Sequence, residues 1–414
     1  MSNDIIMHID VNSAFLSWQS AYEKQIGMER DIREIPSVIG GNEENRHGIV
    51  LAKSVPAKKY NIQTGESLFE ARNKCPKLLV IPPNYSLYVK ASKKLREFLQ
   101  TYTPQVEPFS IDECFLRFTD KSRVEAINLA YNIRDTVYNK FGYTVNIGIS
   151  ENKLLAKMAG DFEKPNKCHT CFPDEIQEKM WILPIEDLFM VGRKTKQKLN
   201  KIGIYTIGQL ANFDYNTINR LLKSHGRLIY DYAWGRDNST FKQIEHVKSV
   251  GNSSTLKFDV TDIETAHAII LSLVEVTAWR LREIGAFCKV VSIGIKYNDF
   301  FYISRQKKLS FFTDCTNDIH ENICKLFDTT WDKNKPIRQL GVSVTDLEFR
   351  AVKQISIFQS DLSKKNEVLD KTIDNIRCKY GDTSIVRGTF VNSNLQPLLG
   401  GYPSDEYIGM SSIL

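Results

Sequence analysis

The 414 residues include 55 Lys and Arg against 49 Asp and Glu, for a formal net charge of +6, with 42% hydrophobic and 25% charged residues. Such a length exceeds one ordinary core, so two to four domains are expected, and the composition is that of a globular protein. No apolar run is long enough to span a bilayer, and the opening "MSNDIIMHIDVNS" has an acid at Asp4 and no basic lead-in, which argues against a signal peptide. The eight cysteines are scattered without a disulfide framework, so a reducing cytoplasm is the expected home. The mild positive charge is compatible with a nucleic-acid partner without requiring one.

"IIMHIDV" reads as a β-branched, apolar strand ending at Asp10. A helix is predicted over about 13–25, with Phe15, Trp18 and Tyr22 on one face. Residues 36–83 mix short strands with turns, and a helix follows over about 85–101 with Leu87, Ala91, Leu95 and Phe98 in register. Then comes the strand-like "PFSIDECFL" (108–116), a helix over about 122–140, and a strand over 143–153. This order predicts an α+β catalytic domain. A helix-rich stretch covers 174–243. From 248 to 348 the pattern is strand, helix, two strands, helix, strand, the βαββαβ order of a ferredoxin-like unit. A helix over about 362–379 and a partly disordered tail are expected to end the chain.

The chemistry concentrates in "PFSIDECFL". Asp112 and Glu113 are adjacent inside an apolar run, and on a regular strand they would point to opposite faces. Converging at a strand end or bulge, and both ionised, they would repel by roughly 4 kcal/mol at ~4 Å and an effective dielectric of ~20. Either one carboxyl is protonated or a cation holds both. With Asp10 as a third member, the set is oxygen-only and suits Mg²⁺, and two such ions serve phosphoryl or nucleotidyl transfer. The plainer alternative is that Asp10 caps the following helix while the acid pair lies on a solvated strand edge.

Three blocks in order, "IDVNSAF" (9–15), "SIDECFL" (110–116) and "NIGISENKLLAKMAGDFEKPNK" (146–167), resemble those of the Y-family translesion DNA polymerases, of the bacterial DNA polymerase IV and UmuC-like type. The resemblance runs over roughly 4–348. It implies an α+β multidomain right-hand polymerase: a ferredoxin-like palm (1–10 and 85–173), small fingers (11–84), a helical thumb with a helix–hairpin–helix (174–243), a βαββαβ little finger (248–349) and a tail (350–414). It implies Asp10, Asp112 and Glu113 as catalytic metal ligands, the Val11 carbonyl completing one shell, and two Mg²⁺ ions, with Mn²⁺ able to replace them. The implied partners are primed template DNA and dNTPs, the implied setting damage-induced (SOS) mutagenesis, and a monomer is expected.

By the same resemblance Phe15 matches the steric gate that rejects a ribose 2′-hydroxyl; read from the residues alone it is a core member of its helix. Lys164 in "EKPNK" matches a triphosphate-binding lysine acting as a point charge, or is one more surface lysine. In "LAKSVPAKKYNI" (51–62) the sequence departs from the pattern. Where many members carry Tyr and Arg, it has Val55, which has no side-chain donor, and Lys58, which keeps the charge without the planar fork. Lys58 is therefore carried over as a nucleotide contact and Val55 is not.

"FMVGRKTKQKLNKIGIYTIGQL" (189–210) reads as the hairpin, with Gly192, Arg193, Lys194 and Lys196 as DNA contacts and Met190 where a first glycine is usual. A solvated basic helix is the alternative. The 248–348 stretch holds 13 basic and 13 acidic residues, so any DNA contact there must use a one-sided patch. Candidates are Arg280, Lys289, Lys296, Arg305, Lys307 and Lys308. "QISIF" (354–358) resembles the bacterial sliding-clamp peptide, with Gln354 at a pocket rim and Ile357 and Phe358 inside it; a last strand folding back is the alternative. "CHTC" (168–171) lacks a second pair and reads as loop thiols. Two rival classes remain: a two-metal nuclease or nucleotide cyclase, in which the gate, hairpin and clamp peptide have no task, and a non-catalytic DNA-binding protein, which would not need the three acids.

Overall fold

The computed structural model describes residues 4–43, 46, 48–241, 247–349, 361–391, 395 and 397–398. The first strand, β1 (Ile5–Val11), is followed by helix α1 (Ala14–Gln25). A small unit comes next, built from β2 (Ser37–Gly40), β3 (Val50–Lys53), the single turn α2 (Val55–Lys58), α3 (Leu68–Lys74) and β4 (Leu79–Ile81). Its three strands form their own sheet in the order β3-β2-β4 over a core that includes Val38, Val50, Ile62 and Leu68. α2 stands on its cap: buried Ser54 accepts the Ala57 N–H at 3.2 Å, and Pro56 pre-sets the first turn.

The chain then returns through α4 (Tyr85–Leu99), β5 (Val106–Pro108), β6 (Glu113–Phe118), α5 (Arg123–Phe141), β7 (Val145–Ser150), α6 (Lys153–Asp161) and β8 (Cys168–Thr170). With β1 these strands make a mixed five-stranded sheet in the order β5-β6-β1-β7-β8. Alternation along β1 sorts the two faces. Ile5, Met7, Ile9 and Val11 join the core formed with α1, α4 and α5, whereas Ile6 belongs to a small cluster with Phe115 and Ala156 of α6. His8 and Asp10 lie on that second face. The expected boundary between residues 10 and 11 therefore falls inside β1, and α1, expected with the fingers, packs its Ala14, Trp18 and Ala21 into the five-stranded unit.

Gly148 fixes how closely α6 crosses this sheet. A Cβ there would stand 1.9 Å from the Ala156 carbonyl oxygen and 2.3 Å from the Gly160 nitrogen, so only glycine allows the approach. A helical unit follows: α7 (Ile176–Lys179), α8 (Arg193–Asn200), α9 (Ile207–Ala211) and α10 (Tyr215–Ala233). It shares its core with Leu154, Leu155 and Met158 of α6.

The next unit keeps the expected βαββαβ order: β9 (Ser249–Val260), α11 (Ile263–Glu283), β10 (Phe287–Tyr297), β11 (Tyr302–Thr313), α12 (Thr316–Thr330) and β12 (Ile337–Glu348). Its sheet order is β11-β10-β12-β9, every neighbour antiparallel. Arg46 of the small unit reaches Asp259 of β9 at 2.5 Å.

α13 (Asp361–Tyr380) matches the expected last helix, but the described part of the tail beyond it is not loose. Phe390 and Leu398 are buried, Leu398 against Val276 and Trp279 of α11. Glu275 of α11, 3% exposed, takes Arg387 at 2.7 Å and Arg377 at 3.5 Å, and Arg282 pairs with Asp374 at 2.6 Å. These contacts tie the described part of the segment after α13 to α11.

Candidate active site

β1 and β6 are antiparallel with Asp10 directly opposite Glu113, and β1 and β7 place Asn146 on Asp10's other side. Two carboxylates in that relation destabilise a sheet unless something positive joins them. Asp112 precedes the strand in a tight turn, as two adjacent functional acids require. Phe109 and Ser110 both give their N–H to the Glu113 carbonyl, and Asp112 accepts the Val11 N–H on its own carbonyl at 3.1 Å. Ser110 Oγ donates to Asp112 Oδ1 at 2.5 Å and accepts the Glu113 N–H at 3.0 Å. The side chain of Asp112 is thus held by the turn, while the ladder fixes only the backbone of Glu113.

Lysines supply the positive charge in this structure. Lys164 pairs with Asp10 and stands 2.8 Å from Asp161, and Lys157 of α6 is 2.7 Å from Glu113 Oε2. Asn146, fully buried, gives its amide to the carbonyls of Gly160 (3.0 Å) and Glu163 (2.6 Å), which pins the loop bearing Lys164. Burial drives the Asp10 carboxyl up to about 6 against the pull of Lys164. Burial likewise raises Asp112, against the Ser110 hydrogen bond. Burial also pushes on Glu113, but its contacts with His8 and Lys157 override it and hold the carboxyl at about 2. Burial lowers His8 against the pull of Glu113, and its Nε2 stands 3.5 Å from Oε2.

Asp10, Val11, Phe15, Lys58, Asp112, Glu113 and Lys164 line one cleft of about 370 Å³. Seven residues foreseen from scattered blocks are thus brought together. Val55 is 53% exposed and does not line the cleft. Phe15 is half-buried; its ring stacks on Tyr88 (4.6 Å between centroids, 10° between planes) and borders the cleft. Sequence reasoning missed Ser13, Lys53 and Thr64 of the cleft, and Lys157 and His8 behind it.

The donor set fits hard divalent cations, being all carboxylate oxygen. Among the described residues no three Asp, Glu, His or Cys side chains converge tightly enough to enclose an ion as they stand. Asp10 and Asp112 are instead turned to Lys164 and Ser110, so loading would exchange those two contacts for the ion, whereas Lys157 engages only Oε2 of Glu113.

Away from the cleft, Gly192 caps α8 with no side chain bonded to the first-turn N–H groups, and Arg193 and Lys194 are exposed beside it. Lys196 is tied to Glu186 at 2.5 Å. Met190 has φ +74, so it takes the left-handed conformation usual for glycine. In the βαββαβ unit the helices cover the sheet face bearing Val291, Ile293, Val342 and Val344. The opposite face runs across four strands in rows such as Gln306–Ser292–Ser343–Gly251, Ser304–Gly294–Gly341–Ser253 and Tyr302–Lys296–Gln339–Thr255. These rows contain no acid. Of the six basic candidates, Lys296 lies on this open face and Lys308 aligns with Val290 on it; Arg305 and Lys307 align with core Ile293 and Val291, Arg280 belongs to α11, and Lys289 sits at the bulge between Cys288 and Val290, against the Phe312 ring. Gln354, Ile357 and Phe358 lie outside the described residues. No helix among the described residues is long and apolar enough to cross a membrane.

Compared with known proteins, residues 9–161 match the impB/mucB/samB family, 247–357 its C-terminal domain, and 173–204 the helix–hairpin–helix motif of the same family. The chain is 46% identical to DNA polymerase IV of Clostridium acetobutylicum, over 94% of this chain and 98% of that one. It is 37% identical to DNA polymerase IV of Acetivibrio thermocellus (93% and 96%) and 34% to DNA polymerase IV 1 of Bacillus subtilis (93% and 92%). Among solved structures it resembles a Y-family DNA polymerase chimera of Dbh and Dpo4, with TM-score 0.73 and 20% identity, over 84% of this chain and all of that one. At that identity the likeness speaks for the fold.

Proposed function

The chain belongs to the impB/mucB/samB family, the Y-family of DNA polymerases, and on that premise we propose that it is a template-directed, error-prone translesion polymerase adding deoxynucleotides to a primer 3′-hydroxyl. The observation that carries this reading is Asp10 set opposite Glu113 with Asp112 at the strand's entry, beside a cleft lined by Phe15, Lys58 and Lys164. Asp10, Asp112 and Glu113, with the Val11 carbonyl, would hold two Mg²⁺ ions, or Mn²⁺ in their place. Such a pair supplies a more acidic primer hydroxyl and neutralises charge on the triphosphate.

The remaining residues bind and orient. Lys164, released from Asp10, is a point charge for the β- and γ-phosphates, and Lys58 meets the same group from the small unit. Phe15, braced by Tyr88, presents a ring that a 2′-hydroxyl would strike. The five-stranded unit is then the palm, the three-stranded unit the fingers, residues 174–243 the thumb and the βαββαβ unit the little finger. Duplex DNA would rest on the N–H groups at the start of α8 with Arg193 and Lys194, and on the little-finger sheet face along the Ser292, Gly294 and Lys296 rows. Gln354, Ile357 and Phe358 would tether a cytoplasmic monomer to the sliding clamp. Primer extension with Mg²⁺ and dNTPs tests the reading: the wild-type chain extends a primed template and Glu113→Ala does not, and extension by that variant at the wild-type rate would remove the assignment.

A further inference from the structure

Behind Glu113 lies a cation that the polymerase reading leaves without a task. Lys157 projects from α6, brought close by the glycine at 148, and is largely buried, its side chain 13% exposed. Its ammonium sits in the corner of two aromatic walls, 5.0 Å from the Phe109 ring and 5.6 Å from the Phe189 ring. The walls are themselves fixed. Phe109 packs edge-on against Phe115 at 5.5 Å and meets Phe189 at 6.2 Å, and Phe189 stacks on Tyr232. A lysine so confined loses most of its rotamer freedom before it meets its partner, so its contact is pre-organised.

The contact is selective. Lys157 Nζ stands 2.7 Å from Oε2 of Glu113, and His8 Nε2 lies 3.5 Å from the same oxygen. Oε1 has no hydrogen-bond or ion-pair partner among the described residues, and Glu113 lines the cleft. One oxygen is therefore anchored and the other is left for the reaction centre. We propose that Lys157 is a positioning residue for nucleotidyl transfer: it fixes the Glu113 carboxylate through Oε2, in a slot closed by Phe109 of the palm and Phe189 of the thumb, so that Oε1 faces the reacting groups. This rests on the reading of Glu113 as a metal ligand. Because Phe189 immediately precedes Met190 and the start of α8, the slot also joins the carboxylate to the part of the thumb that would hold DNA.

Single-nucleotide insertion by the full chain on a primed template gives kcat and KM, the EPR signal of added Mn²⁺ reports ion binding to the DNA-free protein, and urea unfolding reports folding. Lys157→Met is expected to lower kcat about 10- to 100-fold, with KM for dNTP changed less than about threefold and Mn²⁺ bound at least as tightly, since a repelling cation is gone. Lys157→Arg keeps most of the rate, because it restores a charged donor. A Lys157→Met enzyme within about twofold of wild type, beside an inactive Glu113→Ala, overturns the positioning role and leaves the metal assignment standing; an active Glu113→Ala overturns both. Mn²⁺ binding that weakens in step with kcat overturns it as well, since Lys157 would then shape the whole site. If Lys157→Met does not fold, Phe189→Leu reads the same slot: a fall in kcat of about three- to tenfold at unchanged KM is expected, and an unchanged kcat overturns the proposal.

Discussion

Asp10 and Glu113 are cross-strand partners, one at the exit of β1 and the other at the entry of β6, so their carboxylates share one face at close quarters. The sheet tolerates this because each has its own lysine, Lys164 and Lys157. If these carboxylates are metal ligands, nothing nearby replaces either of them. Asp10→Ala and Glu113→Ala should each lower primer extension by roughly 10³-fold or more, while binding of primed DNA, measured by fluorescence anisotropy, stays within a few-fold of wild type. Loss of DNA binding in step with activity would mean that the pair is structural.

The electrostatics of Asp10 give a signed pH effect. Its folded-state value, about 6, lies above the ordinary 3.8 because of burial. A raised carboxyl binds its proton more tightly in the folded chain, so its stabilising contribution is complete below about pH 4 and is lost as pH rises through about 6. A shift of roughly two units corresponds to at most about 3 kcal/mol. Metal-free wild type should therefore lose stability between pH 4 and 6 relative to Asp10→Asn, whose urea midpoint should be flatter across that window. Glu113, held low, contributes the opposite slope only in stronger acid, as pH falls from its ordinary value through about 2. Binding of Mg²⁺ must displace the Asp10 proton, so apparent affinity should fall below about pH 6. Parallel curves for the two proteins would discard the Asp10 assignment.

Phe15 carries a prediction about sugars. Its ring is held by Tyr88 and Trp18, so it cannot swing aside cheaply. Phe15→Ala should reduce discrimination against ribonucleotides by roughly 10²-fold, measured as the ratio of kcat/KM for dNTP and rNTP. It should also cost about 1–3 kcal/mol of stability for a half-buried ring. A stability loss with sugar selection unchanged would leave Phe15 as packing alone.

The start of α8 offers two separable effects. Arg193→Ala and Lys194→Ala should weaken DNA binding evenly across sequences, each lowering the salt slope by about 1 for each phosphate released. Met190→Gly should stabilise the hairpin by about 1 kcal/mol, because a side chain at φ +74 is strained there and glycine is not. A destabilised Met190→Gly would show that the exposed Met side chain makes a contact worth more than the strain.

What the sequence could show depended on how local the cause was. The strand ending in Asp10, the turn that both Asp112 and Glu113 need, and the βαββαβ order follow from alternation and spacing within short windows. Lys157 did not stand out, because a lysine on a helix is ordinarily solvated; only Gly148, distant in sequence, brings it to Glu113. The two faces of the little finger were hidden for a related reason. Arg305 and Lys307 look like Lys296 and Lys308 in composition, and only register assigns them to opposite sides. Glu275, by contrast, was a readable clue: an acid in the apolar run "IILSLVEVTAW" of α11 asks for a buried cation, and Arg377 and Arg387 answer it from the tail.

That buried cluster determines how the clamp reading should be tested. Glu275 and Arg377 are each 3% exposed, so Glu275→Ala leaves a buried, unpaired guanidinium and should cost about 3–5 kcal/mol. The double change Glu275→Met with Arg377→Met, by replacing the pair with apolar groups, should recover most of it. Urea unfolding of the two variants checks this, and equal losses in both would show that packing against Trp279 matters more than the charge. Truncation after residue 349 would remove Arg377, Arg387 and Leu398 together and strip α11 of its cover. Any loss of clamp stimulation in a truncated chain would then be confounded with a damaged little finger. Alanine at Gln354, Ile357 and Phe358 leaves those contacts intact. The triple variant should keep wild-type distributive synthesis and unfolding midpoint and lose stimulation by the sliding clamp; stimulation that persists would place the tether elsewhere on the chain.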